Sequence, residues 1–432
     1  MPRLLYFNPE NDLALAANDP HYTPPASALR MATDLQLLPL HWAAPDDLIL
    51  LRKDPPPTPP VREGSGLREE MFLKVEEPST LRSTSGRFET SKNPQPSARP
   101  LVASKPRRTL SPPPSPLPNG RGRGWVCLPW GWSPLTVTDF LRAGVPASLL
   151  PTPDQMQAFR TVAGRATAAE VLRRLRERLT AEGFGDLLTG EAHVCHSLDE
   201  ARHWHERFGE SMFKQPWSGS GRGLLPAHDG QLTPKNEAWL QRTLRQQGYV
   251  MAEPLYRRRL DFALEFWRHA DGTVTYEGLS LFMTTAGGVY AGNIVDTEER
   301  KLHRLLAAAP HLAPLLVPQG DDSCFKFQVS GSKFQVSGFN PHSSFGIRHS
   351  SFGIHHSSFV IHHSSFLIQA LITELSALPP TFYEGPIGVD MMICQAPPSS
   401  LIPHPSSLFL LHPCVEINFR MTMGWLALHV KP

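Results

Sequence analysis

The chain has 432 residues, of which 41% are hydrophobic, and a formal net charge of +2 at pH 7. This length allows two or three domains with sizeable cores, and the nearly neutral charge argues against a nucleic-acid or membrane-surface partner. The five cysteines are scattered without a CxxC pair, which favours reduced thiols in a cytoplasm over a disulfide framework. No apolar run approaches the roughly 20 residues of a membrane span, and MPRLLYFNPENDL does not resemble a signal peptide.

The N-terminal segment predicts a short buried strand over Arg3–Phe7, followed by a polar turn. Ligands of α/β domains bind beyond the carboxyl ends of strands, so the turn is a possible substrate loop. In a second interpretation, Asn8 and Asp12 only cap a helix over Leu13–Ala17. The candidate substrate-loop residues are Asn8, Glu10, Asn11, Asp12 and His21.

Residues 1–52 and 123–150 are predicted to form one small α/β domain. Its second part is expected to contain a helix over Pro134–Ala143 and a strand over Val145–Leu150. Between the two parts, residues 53–122 are rich in proline, as in PPPTPP and SPPPSPLPNG, and have little apolar periodicity. Such a composition cannot bury enough apolar surface to offset the entropy of ordering, so this insertion is predicted to be disordered.

A glycine-rich loop follows a short apolar strand in the middle of the chain. Lys214 ends that strand, in the sequence KQPWSGSGRGL. Glycine allows backbone N–H groups to approach phosphate oxygens closely, because it has no side chain and adopts unusual dihedral angles. The segment therefore predicts a phosphate-binding loop, with the residues Ser218, Gly219, Ser220, Gly221, Arg222 and Gly223.

A long strand is predicted after YVMAEPLY, the segment Tyr249–Tyr256, and continues to Phe266. Asp261 and Glu265 share one face of this strand because side chains alternate along it. Two interpretations remain open, that these carboxylates meet a ribose or a substrate amine, and that they are ordinary exposed strand residues.

Two further segments have low complexity. Residues 321–366 repeat KFQVSG and then HSSF at a seven-residue step, and residues 396–409 contain the similar PPSSLIPHPSSL. Both are predicted to be insertions, because apolar side chains alternate with Ser-Ser and His pairs without the pattern of a coiled coil. Residues 151–320 and 367–432 would then form a second domain.

The last part of the chain carries acidic and basic side chains on two predicted strands. Asp390 lies in the apolar strand GPIGVDMMI, a costly position for an unpaired carboxylate. In CVEINFRMTMG, the side chains of Glu416, Asn418 and Arg420 alternate with apolar ones. Carboxylate and amide oxygens suit Mg²⁺, and arginine suits phosphate. The other interpretation of the final strand is an edge strand with ordinary polar residues on its exposed face.

The order lysine, glycine loop, strand aspartate and Glu-x-Asn-x-Arg resembles the ATP-grasp superfamily. The resemblance implies an α/β protein: a small N-terminal α/β pre-grasp domain, then an α+β ATP-grasp domain of two subdomains. It also implies that Lys214 and the glycine loop hold the phosphates of ATP, and that Arg420 stabilises the transferring phosphate. The Mg²⁺ ligands that it implies are Asp390, Glu416 and Asn418.

The resemblance extends to Tyr249–Tyr256, which is similar to the hinge that holds adenine, with Glu253 as its polar contact. The chain departs from the pattern in having no clear second phosphate lysine, for which Arg165 is the nearest candidate. The implied activity is an ATP- and Mg²⁺-dependent ligase that joins a small-molecule carboxylate to an amine through an acyl phosphate. A small-molecule kinase on the same fold and a degenerate, non-catalytic nucleotide-binding protein are the alternatives. The sequence predicts neither the substrate nor the oligomeric state.

Overall fold

A computed structural model describes residues 2–52, 72–74, 126–219, 221–228, 230–285, 290–317, 365–395 and 409–429. The strands are β1 Arg3–Tyr6, β2 Leu48–Leu50, β3 Phe72–Lys74, β4 Val126–Pro129, β5 His193–Cys195, β6 Ser211–Lys214, β7 Leu224–Ala227, β8 Val250–Pro254, β9 Arg257–Arg268, β10 Val274–Thr284, β11 Tyr290–Ile294, β12 Gly385–Gln395 and β13 Phe409–Asn418.

Helices alternate with these strands, and the predicted α/β class is confirmed. The α-helices are α1 Asn11–Ala17, α2 Ala26–Asp34, α3 Pro134–Arg142, α4 Pro153–Val162, α5 Arg165–Ala181, α6 Leu198–Phe208, α7 Pro234–Gln247, α8 Glu298–Ala308, α9 Ala313–Leu316, α10 Phe366–Ser376 and α11 Met423–His429. Short 3-10 helices cover Leu38–His41, Ala147–Leu149, Gly185–Leu187 and Pro310–Leu312. Within the described ranges, no helix combines the length and apolar character needed to cross a membrane.

The N-terminal sheet has the order β3-β2-β1-β4, and β1 is parallel to both β2 and β4. Strand β3 pairs antiparallel with β2, although Phe72–Lys74 belongs to the segment predicted to be disordered. The rest of that segment from residue 53 lies outside the described residues, as does most of residues 321–366 and 396–409. The structure describes three residues of those two insertions. Ser365 is the N-cap of α10, Phe366 is the first residue of that helix, and Phe409 is the first residue of β13.

Two antiparallel sheets follow in the chain. One has the strand order β5-β8-β6-β7, and the other has the order β11-β10-β9-β12-β13. Helix α5 packs against β13, where Leu175 and Leu411 are fully buried in the main hydrophobic core. Helix α5 thus covers the edge strand β13 of the larger sheet.

Helix starts follow the local sequence. The side chain of Thr152 accepts a hydrogen bond from the backbone N–H of Gln155, whose side chain accepts one in return, and Pro153 fits the first helical position. Ser197 caps α6, and its side chain accepts a hydrogen bond from the backbone N–H of Glu200.

Two local predictions are corrected by the structure. The strand predicted over Val145–Leu150 is wrong, because Ala147–Leu149 forms a 3-10 helix after Pro146, which cannot donate to a strand ladder. Helix α1 forms, but its N-cap is Glu10 and no side chain caps it. The capping role considered for Asn8 and Asp12 is therefore not what holds them in place.

The end of β13 returns to the N-terminal sheet. The backbone N–H of Met421 donates to the carbonyl of Trp130 over 2.8 Å. Met421 and Trp425 are buried in a second apolar cluster with Leu5, Phe7 and Trp130. This docking places the Glu-x-Asn-x-Arg segment next to the loop that follows β1.

Candidate functional site

Strands β12 and β13 bring the three predicted metal ligands together. Asp390 lies directly opposite Glu416, and Gly388 lies opposite Asn418. Directly paired residues of an antiparallel sheet point to the same face, so the three polar side chains share one face. The amide Nδ2 of Asn418 donates a hydrogen bond to Oδ2 of Asp390 over 3.2 Å.

The electrostatics of this pair favour a bound cation. Burial raises the pKa of Asp390, and the nearby charge of Glu416 raises it further, while Arg420 acts in the opposite direction. Among the residues that the structure describes, no group of three or more His, Cys, Asp or Glu side chains is arranged to hold a metal ion. Two carboxylates and an amide oxygen are nevertheless a donor set that fits Mg²⁺, which keeps part of its shell for water and substrate phosphates.

Arg165 connects the glycine loop to this metal-ligand set. It is the first residue of α5, and its guanidinium donates to the backbone oxygens of Gln215 and Ser218 over 2.6 and 3.1 Å and to Oγ of Ser218 over 2.6 Å. The same group donates to Oε1 of Glu416 over 2.9 Å. Sequence reasoning named Arg165 only as a substitute for a missing lysine, because nothing local reveals that one side chain reaches both segments.

Lys214 and Glu253 form a buried ion pair between neighbouring strands β6 and β8. The Lys214 Nζ atom lies 2.6 Å from Oε2 of Glu253, and both residues are buried. They are diagonal neighbours, since Glu253 lies opposite Met212. The structure therefore joins the predicted phosphate lysine to the predicted hinge glutamate.

The glycine loop passes over the N-terminal loop. A Cβ atom added to Gly219 would lie 1.8 Å from Oδ2 of Asp12, so a larger residue there would have to displace the Asp12 carboxylate. Gly221 and Gly223 have φ angles of 73° and 65°, in the left-handed region that favours glycine. Ser218 is buried and Arg222 is exposed, while Ser220 lies outside the described residues.

Two residues of the predicted substrate loop reach the site. Asp12 Oδ1 accepts a hydrogen bond from Nε of Arg420 over 2.9 Å and one from Nδ2 of Asn11 over 3.2 Å. Asn11 and Asp12 line a small cavity together with Arg165, Glu416, Asn418 and Arg420.

The other three loop residues have other surroundings. Asn8 donates to the Gly131 carbonyl over 2.8 Å and to Oγ1 of Thr136, and its Oδ1 accepts from the Gly131 N–H. Glu10 is buried and forms an ion pair with Arg52. His21 is exposed and does not line the cavity. Asn8 and Glu10 therefore hold the N-terminal unit together.

Glu265 is a further acidic residue of the site face. It lies on β9 opposite Gly388, is 1% exposed, and accepts a hydrogen bond from Oγ1 of Thr422 over 2.9 Å. Its Oε2 atom has no partner among the described residues. Burial raises the pKa of Glu265 to about 8. Strand alternation identified its face but left its role open, because the sequence does not show what covers that face.

No family model and no curated protein matches this chain. Similar solved structures include N5-carboxyaminoimidazole synthetase from Staphylococcus aureus complexed with ADP, at 11% identity and a TM-score of 0.34, covering 71% of this chain and 66% of that one. Biotin carboxylase from Campylobacter jejuni, in a complex with an ATP analogue, has 10% identity and a TM-score of 0.36, with 71% and 55% covered. The L-amino acid ligase from Bacillus licheniformis has 11% identity and a TM-score of 0.32, with 69% and 48% covered.

These structures are carboxylate–amine ligases of the ATP-grasp type, the superfamily that the motif order resembles. The chain spans about half to two thirds of the length of these three structures. At such TM-scores the similarity is remote, and the functional conclusion rests on the geometry of the site.

Proposed function

We propose that the protein is an ATP- and Mg²⁺-dependent ligase that joins a carboxylate to an amine through an acyl phosphate. The observation that carries this proposal is the direct pairing of Asp390 with Glu416 across β12 and β13, with Asn418 beside them. Arg165 and Arg420 border the same cavity. Carboxylates for a metal beside cations for phosphate are the groups that phosphoryl transfer requires.

In this proposal, Asp390, Glu416 and Asn418 hold Mg²⁺ through their side-chain oxygens. The bound metal would neutralise charge on phosphate oxygens, which lowers the barrier to phosphoryl transfer. Both carboxylates must be ionised to hold the metal. The positive charge of Mg²⁺ would lower the pKa of Asp390, as the charge of Arg420 already does.

The phosphates of ATP would form ion pairs with three cationic side chains that are paired with carboxylates of the chain in this structure. These pairs are Lys214 with Glu253, Arg165 with Glu416, and Arg420 with Asp12. Arginine forms two parallel hydrogen bonds with a phosphate, so Arg165 can serve where the family pattern has a second lysine. The backbone of the glycine loop would cover the phosphates and exclude water from the acyl phosphate.

The proposed reaction has two steps. A substrate carboxylate oxygen attacks the terminal phosphorus, the bond to the bridging oxygen breaks, and ADP leaves. An amine nitrogen then attacks the acyl carbon, inorganic phosphate leaves, and the nitrogen loses a proton. Asn11 and Asp12 line the cavity next to Arg420, so we place the acceptor substrates on this side of the site.

The proposal also places the protein in the cytoplasm. Cys127, Cys195, Cys394 and Cys414 are free and buried. Free thiols are typical of reducing compartments, where ATP is also plentiful.

Nucleotide binding is tested first by thermal unfolding with and without Mg-ATP. At a hundred times its dissociation constant, the ligand stabilises the folded state by about 2.7 kcal/mol. We expect Lys214→Ala and Glu416→Gln to lose this stabilisation. The exposed residues Lys235 and Glu299 supply matched controls, Lys235→Ala and Glu299→Gln, which should retain it. A parent protein that unfolds cooperatively without any shift would contradict the proposal.

The chemistry is tested by the products formed from Mg-ATP and a panel of carboxylates and amines. A ligase releases inorganic phosphate only when a carboxylate is present, and hydroxylamine traps its acyl phosphate as a hydroxamate. A phosphorylated hydroxyl compound without phosphate release would instead identify a kinase.

A further inference from the structure

His412 is a fully buried polar residue to which the proposed reaction assigns no role. It lies on β13 directly opposite Met392 and is 0% exposed. Neither Nδ1 nor Nε2 of its ring has a hydrogen-bond partner within the described part of the chain. Proteins rarely leave buried polar atoms without partners, because each then loses its hydrogen bonds to water without replacement. The ring therefore has capacity for a partner that the described residues do not supply.

The position of His412 relates it to the metal ligands. Met392 follows Asp390 by two positions on β12, while its partner His412 precedes Glu416 by four positions on β13, because the pairing is irregular between the two pairs. His412 is thus the partner of the next paired residue of β12 after the Asp390–Glu416 pair. The positive charge of Lys214 also acts on the imidazole, so the predicted phosphate lysine lies near this histidine.

The other neighbours of His412 belong to the predicted nucleotide hinge and its surroundings. The ring of Tyr256, the last residue of the hinge, meets the imidazole edge-on with centroids 5.2 Å apart. On another side, a Cβ atom at Gly190 would lie 3.0 Å from Nε2, so the glycine backbone lies against the ring. The imidazole therefore contacts an aromatic ring and a glycine backbone at the end of the predicted hinge.

Burial, with the help of nearby positive charges, keeps the His412 ring neutral. Burial lowers its pKa to about 3, and the positive charges of Lys214 and Arg176 contribute to that shift. A neutral imidazole has one nitrogen that donates and one that accepts a hydrogen bond. It can therefore pair with both kinds of polar atom on the edge of a nucleobase.

We propose that His412 binds the nucleobase of the nucleotide whose phosphates occupy the Lys214, Glu416 and Asp390 site. The inference rests on the proposed nucleotide binding and adds a residue that reads the base. One imidazole nitrogen of His412 forms a hydrogen bond with a polar atom on the edge of a purine base.

The test compares two ligands that share phosphates and differ in the base. Dissociation constants for Mg-ATP and for Mg-tripolyphosphate are measured by calorimetry with the parent protein, His412→Phe and His412→Gln. Losing one buried hydrogen bond should weaken Mg-ATP binding to His412→Phe about tenfold. Binding of Mg-tripolyphosphate should not change. His412→Gln, which keeps a donor and an acceptor, should recover part of the loss.

Glu416→Gln is the contrasting variant, because it should weaken both ligands. An unchanged affinity of His412→Phe for Mg-ATP, or an equal loss for both ligands, would show that His412 has only a structural role and would overturn the inference. A parent protein that binds neither ligand would instead overturn the proposed function, so the two failures are distinguishable.

A second measurement needs no stable His412→Phe protein. Four analogues of ATP each lack one polar group of the base: the 1-deaza, 3-deaza and 7-deaza compounds and purine riboside triphosphate. We expect one of them to bind the parent several times more weakly than ATP, and His412→Gln to change that ratio. If none of the four loses affinity, His412 does not read the base.

Discussion

Glu265 is a buried carboxyl group whose ionisation should control stability. Its pKa is raised to about 8 in the folded protein from an ordinary value near 4.5. Between these values the folded state holds a proton that the unfolded chain has released. The stabilisation is complete below the lower value and is lost as the pH rises through the higher one, by up to about 1.4 kcal/mol per pH unit.

Glu265→Gln removes this ionisation and keeps a polar group next to Thr422. We expect the variant to lose less stability than the parent as the pH rises from 5 to 8.5. Urea unfolding across that range measures the difference, and the exposed Glu299→Gln is the control. Parallel stability curves for parent and Glu265→Gln would contradict this assignment.

Asp12 offers a second prediction at the level of a single side chain. It is an ion-pair partner of Arg420, and Asp12→Asn would leave that arginine with less compensation for its burial. We expect the ligand-free protein to lose about 1–2 kcal/mol of unfolding free energy. Mg-ATP should stabilise the variant more than the parent, because phosphate replaces the lost carboxylate.

The Asp12 prediction is checked by chemical unfolding in the presence and absence of Mg-ATP. Asp34→Asn, at an exposed position of α2, is the matched control and should behave as the parent does. An equal loss of stability with and without the nucleotide would mean that Arg420 does not meet phosphate.

The residues of the site differ in how far the sequence predicts them. Alternation identified the shared face of Glu416, Asn418 and Arg420, and an acidic residue in an apolar strand identified Asp390. The contacts of Arg165, and the lack of a partner for the His412 nitrogens among the described residues, follow from segments that meet only in three dimensions. No local sequence pattern predicts these features.

At the scale of elements, the packing of β12 against Glu265 of β9 and against Thr422, after β13, depends on a glycine. A Cβ atom at Gly388 would lie 2.8 Å from Cγ2 of Thr422 and 3.0 Å from Oε2 of Glu265. Gly388→Ala should therefore destabilise the protein by about 1–3 kcal/mol through overpacking.

The double variant Gly388→Ala/Thr422→Ser tests the cause of that loss. Serine lacks the methyl group that the new Cβ would meet, so part of the stability should return. Urea unfolding of the single and double variants gives the coupling between the two positions. Simple additivity would show that the strain lies elsewhere.

The elements themselves are largely predictable, while their pairing is not. The strand predicted over Arg3–Phe7 and the helix predicted over Pro134–Ala143 match β1 and α3 to within one residue. The segment Val145–Leu150 was wrongly predicted as a strand because its apolar residues outweighed the effect of Pro146. The in-register meeting of Asp390 and Glu416 could not be derived, since register depends on which strands become neighbours.

For the whole molecule, Trp425 joins the C-terminal helix to the N-terminal sheet. It is 4% exposed, and its ring meets Trp42 edge-on with centroids 5.8 Å apart. Trp425→Ala should lower the free energy of unfolding by about 3–5 kcal/mol and weaken the packing of α11 against the N-terminal sheet. Met423→Ala, two residues away and 41% exposed, should cost far less.

Denaturant unfolding followed by two probes tests the Trp425 prediction. Loss of docking should separate the fluorescence and circular-dichroism transitions, which coincide in a two-state protein. Equal stability of the Trp425 and Met423 variants would refute a joining role for the tryptophan.

Long sequence separations limit what can be predicted about the whole molecule. The Asp12 and Arg420 side chains that meet in the site are 408 positions apart. The composition marked the insertions but did not show how the chain on either side of them comes together. The domain boundaries given above therefore remain predictions, as do the site assignments carried over from the resemblance.

The ion pairs of Lys214, Arg165 and Arg420 also determine how a nucleotide would arrive. Because each of these cations is already balanced by a carboxylate, the cleft would attract an anion only weakly from a distance. Association would then gain little from long-range steering and would depend only weakly on ionic strength. Binding would exchange one anion for another, and we expect its rate to be limited by the opening of these ion pairs.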